Sequence, residues 1–108
     1  MNFSLQSVSI FLFAILFITS GITQTTHSWI GGSGNWSDTN HWDTGIVPSA
    51  TDNVLITGSG TYTVTLDMDT SIVNITIGGS SGIQSLNISG RTFTINGTAT
   101  ITDSGQVN

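Results

Sequence analysis

From Tyr62 onward, apolar and polar residues alternate along the chain in a series of short runs: "TYTVTLD", "SIVNITIGG", "SLNIS", "TFTING" and "TATITD". One set of positions holds Tyr62, Val64 and Leu66, then Val73, Ile75 and Ile77. It continues through Leu86 and Ile88, Phe93 and Ile95, and Ala99 and Ile101. Thr, Ser and Asn fill the positions between. Successive side chains of a strand point to opposite faces, so a period of two predicts half-buried strands with these apolar residues turned inward. The branched Thr, Val and Ile side chains suit a pleated surface. Glycine-rich breaks ("GSG", "GGSSG", "SG", "NG") separate the runs and supply the backbone freedom that turns require. Beyond the first residues no stretch has a helical period. The expected fold class is all-β.

The spacing bears on how the strands connect. The last inward residues of the runs fall at Ile56, Leu66, Ile77, Ile88, Ile95 and Ile101. Two or three such steps make a unit of about 22 residues, a length that suits one coil of a parallel β-helix. Hairpins also produce short strands at this spacing, with Asn96–Gly97 as a tight turn, and a small β-sandwich is the alternative. Scarcity of charge favours stacked coils, because open antiparallel sheets commonly keep charges on their edges.

Composition adds a second segment. Residues 1–21 begin polar and then run apolar from Val8 to Ile18, with small Thr19, Ser20 and Gly21 after them. That is the layout of a secretory signal peptide, although no Lys or Arg precedes the apolar run. Export is therefore expected, to a secreted or cell-surface location, with no membrane association after cleavage. There is no cysteine to form a disulfide. The net charge is −5, from six Asp against Arg91 alone. One cation cannot neutralise a phosphate backbone or an anionic lipid surface, which excludes nucleic-acid binding.

Between these segments lies "HSWIGGSGNWSDTNHWDTGIVPSATDNVLI", which holds Trp29, Trp36 and Trp42 and both histidines, His27 and His41. With the repeats after it, this stretch resembles the start of secreted right-handed β-helix proteins, including bacterial surface and autotransporter-type adhesins. The shared pattern is a Trp, a Gly-rich turn, "NW", a further Trp and "VP", then a valine-rich strand and repeats of the "GG…L.ISG.T.T.NG" kind. The portion around "VP" and "DNVLI" is also similar to the opening of a glycine-rich extracellular domain of some animal cell-surface β-helix proteins. The likeness runs from Trp29 to Ile101. It implies a right-handed parallel β-helix in which residues 22–53 form an N-terminal cap and residues 54–108 the first coils. A shared solenoid does not carry a shared activity.

A solenoid core faces water at its first coil, so its end needs a plug. Three tryptophans cover much apolar area while each indole N–H reaches a polar partner. The competing reading is a carbohydrate site, in which Trp36 and Trp42 offer ring faces and Asp38 and Asp43 accept sugar hydroxyls. Asx-rich segments also make turns by bonding their own backbone, and that reading is preferred.

Catalysis finds less support. The carboxylates are Asp38, Asp43, Asp52, Asp67, Asp69 and Asp103, and nothing local implies a raised pKa for any of them. Asp67 and Asp69 alternate about Met68 and are expected on one face, as a cation pair or as the flanks of a turn. His27 and His41 have no ligand set of metal-site spacing, and no motif assembles a Ser–His nucleophile. The chain reads as a non-enzyme without metal or cofactor. Sequons at Asn35, Asn74, Asn87 and Asn96 are glycan acceptors if the source is eukaryotic.

The expected function is structural: an exported, adhesion-type solenoid segment that meets a glycan or a cell-surface partner. Its rivals are the leading part of a β-helical polysaccharide-active enzyme and a small carbohydrate-binding module. The coils supplied number about two, fewer than the three or so that repeat proteins need. Phe93, Ile95, Ala99 and Ile101 are accordingly expected along an unpaired edge. The expectation is a fragment of a longer protein, or an end covered by a partner or by self-association.

Overall fold

The computed structural model describes residues 24–108; the signal-peptide reading, on residues 1–21, lies outside them. Ten short strands and one 3-10 turn make up the regular structure among the described residues. They are β1 (Thr26–Ser28), β2 (Gly34–Asn35), β3 (Asn53–Ile56), β4 (Tyr62–Thr65) and β5 (Thr70–Ile72). After these come β6 (Asn74–Ile77), β7 (Gln84–Asn87), β8 (Phe93–Ile95), β9 (Ala99–Ile101) and β10 (Gly105–Val107). The fold is all-β, and every strand pairing among the described residues is parallel.

Three sheets result. One has the order β9-β6-β3-β1, the second β10-β7-β4-β2, and the third holds β5 and β8. The chain passes through the sheets in turn and returns to the first one strand further along. Asn53 lies beside Asn74 and Tyr62 beside Gln84; Thr70 lies beside Phe93 and Ile75 beside Ala99. Side-chain bonds between circuits follow the same offsets, over 21 residues from Asn74 to Asn53 and 24 from Thr98 to Asn74. The turns stack as the strands do: Gly60 N–H donates to the Ser81 carbonyl and Tyr62 N–H to that of Ile83. Parallel pairing removes the hairpin arrangement, because consecutive strands belong to different sheets.

The alternation is borne out in its main positions. Val54 and Ile56, Tyr62, Val64 and Leu66, Ile75 and Ile77, and Leu86 are all buried. One inward assignment is corrected: Ile72 is buried, whereas Val73 is only half-buried. Only Val73 separates β5 from β6, and its N–H donates to the Asp52 carbonyl at 2.8 Å. The chain turns a corner there, which resets the period and lets Ile72 and Ile75 both face the core.

A second departure is Gln84, fully buried where the pattern offered no apolar residue. Its Oε1 accepts from Gly79 N–H at 2.6 Å, and its Nε2 donates to the carbonyls of Gly60 and Ser81. A buried amide with both ends bonded avoids the desolvation cost of an orphaned polar group. It clamps the stacked turns that precede β4 and β7.

The same turns depend on Gly82, with φ +79° and a backbone so close that a Cβ would stand 2.4 Å from the Gly60 carbonyl. Gly82→Ala is expected to lower stability by at least about 1–2 kcal/mol from the left-handed conformation alone. Chemical denaturation of the variant checks this.

At the far end of the sheets the outer edges of β9 and β10 have no partner strand among the described residues. Ile101 is 49% exposed and Val107 46%. Ala99 is exposed as well, while Phe93 and Ile95 are half-buried against the core. Phe93 is partly sheltered because its ring meets Trp36 edge-on at 5.4 Å.

Candidate functional site

The tryptophan stretch is where sequence reasoning concentrated its candidates. It contributes strands of its own, for β1 pairs with β3 and β2 with β4. Between β1 and β3 the chain doubles back on itself. Ile30 N–H donates to the His41 carbonyl at 2.7 Å, Asp43 N–H to that of Ser28 at 3.0 Å, and Trp29 bridges Trp42 antiparallel. Asp38 starts the 3-10 turn Thr39–His41 by accepting from Asn40 N–H at 3.0 Å. That is the usual reason for Asp before such a turn. Gly34 allows the backbone to pass beneath His41, where a Cβ would stand 2.5 Å from Nε2.

The three indoles form one continuous cluster. Trp42 meets Trp29 edge-on at 5.0 Å and Trp36 at 4.9 Å, and Trp36 continues to Phe93. Trp29 Nε1 donates to the Gly32 carbonyl at 2.9 Å and Trp42 Nε1 to that of Trp36 at 2.8 Å. Trp36 Nε1 is the one buried side-chain polar atom among the described residues without a hydrogen-bond partner. Exposure is 3% for Trp29, 0% for Trp36 and 2% for Trp42. His41 stacks flat on Trp29 at 4.5 Å, with Nδ1 donating to the Ile30 carbonyl at 2.8 Å.

These values decide what the candidate sugar residues can do. Trp36 and Trp42 present no ring face to solvent, so neither can stack a sugar in this conformation. Asp38 caps the turn, and Asp43 accepts from Ser28 N–H at 2.8 Å. The four residues are neighbours in the tryptophan stretch without converging on a common cleft. Two surface grooves lie elsewhere among the described residues. One, of about 510 Å³, runs between the Ile30–Gly32 loop and the Gly58–Tyr62 turn. The other, of about 380 Å³, lies over Ala50, Asp69, Ser71 and Thr94.

The structure also assembles a group that no local motif announces. His27 is fully buried; its Nε2 donates to Asp52 Oδ2 at 2.9 Å and its Nδ1 bonds the Thr44 hydroxyl. The same Asp52 oxygen accepts from Ser49 N–H at 2.9 Å and the Ser49 hydroxyl at 3.0 Å, while Oδ1 takes Thr25 N–H at 3.4 Å. Burial pushes the Asp52 carboxyl upward, but the bonds from Ser49, His27 and Thr25 outweigh it and hold the group below its ordinary value. Thr44, His27 and Asp52 follow the order of a hydroxyl–imidazole–carboxylate relay. Yet the imidazole is sealed from solvent, and neither groove includes Thr44. The arrangement works as a latch that ties three separated segments, around His27, Thr44 and Ser49, to the start of β3. Its partners stand 17 and 25 residues apart, which hid it from motif reading.

Asp67 and Asp69 do not share a face as a cation pair. Asp67 reaches back to the cap, accepting from Ser37 N–H at 3.0 Å and the Ser37 hydroxyl at 2.6 Å. The Ser37 hydroxyl bond is the main reason that the Asp67 carboxyl lies below its ordinary value, with a smaller contribution from Arg91. Asp69 reaches the other way, to Thr92 N–H at 3.0 Å. Each stitches one circuit to the next. No group of three or more His or Asp among the described residues is placed to hold a metal ion. No family profile matches the chain, nor does any curated protein or solved structure.

Proposed function

We propose that the chain is the cap and first coils of an exported right-handed parallel β-helix whose lateral faces present an adhesion-type interaction surface. The observation that carries the reading is the succession of parallel pairs through three sheets, with the circuits from β3 onward displaced by 21 to 24 residues and the first by 27 to 30. Few arrangements other than a solenoid return to the same sheets in this order. A buried aromatic cluster over the first circuit supports it as the plug that such a core needs.

The outward positions favour contact over chemistry. They carry Thr63, Thr65, Asn87, Thr76 and Thr100, hydroxyls and carboxamides in rows along the sheets. Such rows offer many weak donors and acceptors, suited to a glycan or to the surface of another cell. The carbohydrate-module reading is disfavoured by the burial of Trp36 and Trp42. Exported protein is expected to begin between Ile22 and Thr26 on N-terminal sequencing, and to be found outside the cell or on its surface.

The function is tested by coating beads with the full chain and measuring adherence to cells and to immobilised glycans. Saturable adherence, reduced tenfold or more by Thr63→Lys and Thr65→Lys with an unchanged unfolding midpoint, is the expected result. Beads that adhere to no cell or glycan surface would overturn the reading.

A further inference from the structure

The four sequons occupy unequal places in the fold. Asn74 sits in β6, and its carboxamide is used at both ends: Nδ2 donates to Asn53 Oδ1 at 2.9 Å, and Oδ1 accepts from Thr98 N–H at 2.8 Å. It therefore links three successive strands of one sheet. The contact is tight, since a Cβ at Gly97 would stand 2.3 Å from Asn74 Oδ1. Asn35, in β2, and Asn96, in the turn after β8, are exposed, and neither carboxamide takes part in a hydrogen bond among the described residues. Backbone bonds fix the Asn96 turn instead, with Asn96 N–H donating to the Ile72 carbonyl at 2.9 Å.

We infer that in a eukaryotic secretory pathway Asn35 and Asn96 are N-glycan acceptors and that the folded chain carries no glycan on Asn74. The reaction takes a pyrophosphate-linked oligosaccharide as donor. A bond forms between Nδ2 and the anomeric carbon while the bond from that carbon to the pyrophosphate oxygen breaks. The pyrophosphate leaves with the bonding electrons, and the amide gives up one proton. At Asn35 and Asn96 the product stands in water and disturbs nothing. At Asn74 the bulky substituent occupies the atom that bonds Asn53 and separates β6 from β3. A chain modified there before folding cannot close the sheet. Asn87 is half-buried with its Oδ1 held by Ser89 N–H at 3.0 Å, and it plays no part in the proposal. A glycan at Asn96 also stands near the start of β9, whose outer edge would otherwise invite pairing.

The proposal rests on export, so the test supplies export independently: the full chain is directed into the secretory pathway of cultured mammalian cells by an added leader. The protease-resistant secreted fraction is deglycosylated enzymatically in heavy-oxygen water and mapped by mass spectrometry. Tagged Asn35 and Asn96 with unmodified Asn74 is the expected result. A tag on Asn74 in that fraction overturns the exclusion, and an untagged Asn35 or Asn96 overturns that acceptor. Unglycosylated protein from bacteria gives a second readout. Asn74→Gln should lower the unfolding midpoint, while Asn35→Gln and Asn96→Gln leave it in place; an unchanged midpoint for Asn74→Gln counts against the ladder argument.

Discussion

Trp42→Ala should cost the fold about 3–5 kcal/mol, the usual loss when a large buried aromatic is removed from a packed core. The side chain is 2% exposed, touches Trp29 and Trp36 edge-on and donates to the Trp36 carbonyl. Truncation therefore opens a cavity at the centre of the cluster and leaves a buried carbonyl without its donor. Small domains have roughly 5–15 kcal/mol in total, so the variant should sit near the limit of folding. Trp42→Phe keeps the ring contacts and loses only the hydrogen bond and part of the volume, so its loss should be clearly smaller. Urea denaturation of both variants measures the difference. An unchanged midpoint for Trp42→Ala would mean that the indole faces solvent after all and is free for a ligand.

Asp52→Ala should have an effect of similar size for a different reason. It removes the shared acceptor of several buried donors, and a buried donor left without a partner costs about 1–3 kcal/mol. Here the stranded groups are His27 Nε2, both donors of Ser49 and the N–H of Thr25. Acid reaches the same latch without mutation. The Asp52 carboxyl titrates below its ordinary value in the folded chain, so its contribution is fully present above the unfolded value, about 3.9. It is lost as the pH falls through the folded value. The unfolding midpoint should hold steady from neutral pH down to about pH 5 and then drop steeply below about pH 4. Asp67, lowered mainly by Ser37, adds to the same drop. Asp52→Ala should show a shallower decline, and a decline as steep as that of the parent would remove Asp52 from the account.

How much of this was legible follows from the range of each interaction. Period-two alternation is local, and it placed Tyr62, Val64 and Leu66, and Ile75 and Ile77, on the buried side. Parallel register is not local, yet the recurrence of inward positions at about 22 residues pointed to it through the repeat. Val73 escaped because a corner of one residue leaves the alternation unbroken in the sequence while the chain changes sheet. Gln84 escaped because a buried amide carries no apolar signature; only its three partners in stacked turns explain it. The strands β1 and β2 are too short to show a period, and they exist because β3 and β4 provide templates for them. In the candidate site, Trp29, Trp36 and Trp42 are buried in one cluster, and their role as a plug belongs to the proposed solenoid. The His27–Asp52 latch and the opposite reach of Asp67 and Asp69 depend on side chains 23 to 30 residues apart. Composition cannot pair residues at such distances.

The central claim is parallel stacking with a displacement of one circuit, and backbone NMR of isotopically labelled protein tests it most directly. Cross-strand contacts should join Val54 to Ile75 and Ile75 to Ala99, and likewise Val64 to Leu86 and Leu86 to Val107. Short Hα–Hα contacts, the mark of antiparallel pairs, should be absent between β3 and β4 and between β6 and β7. Strong Hα–Hα contacts between those consecutive strands would contradict the account and establish a hairpin sandwich in its place.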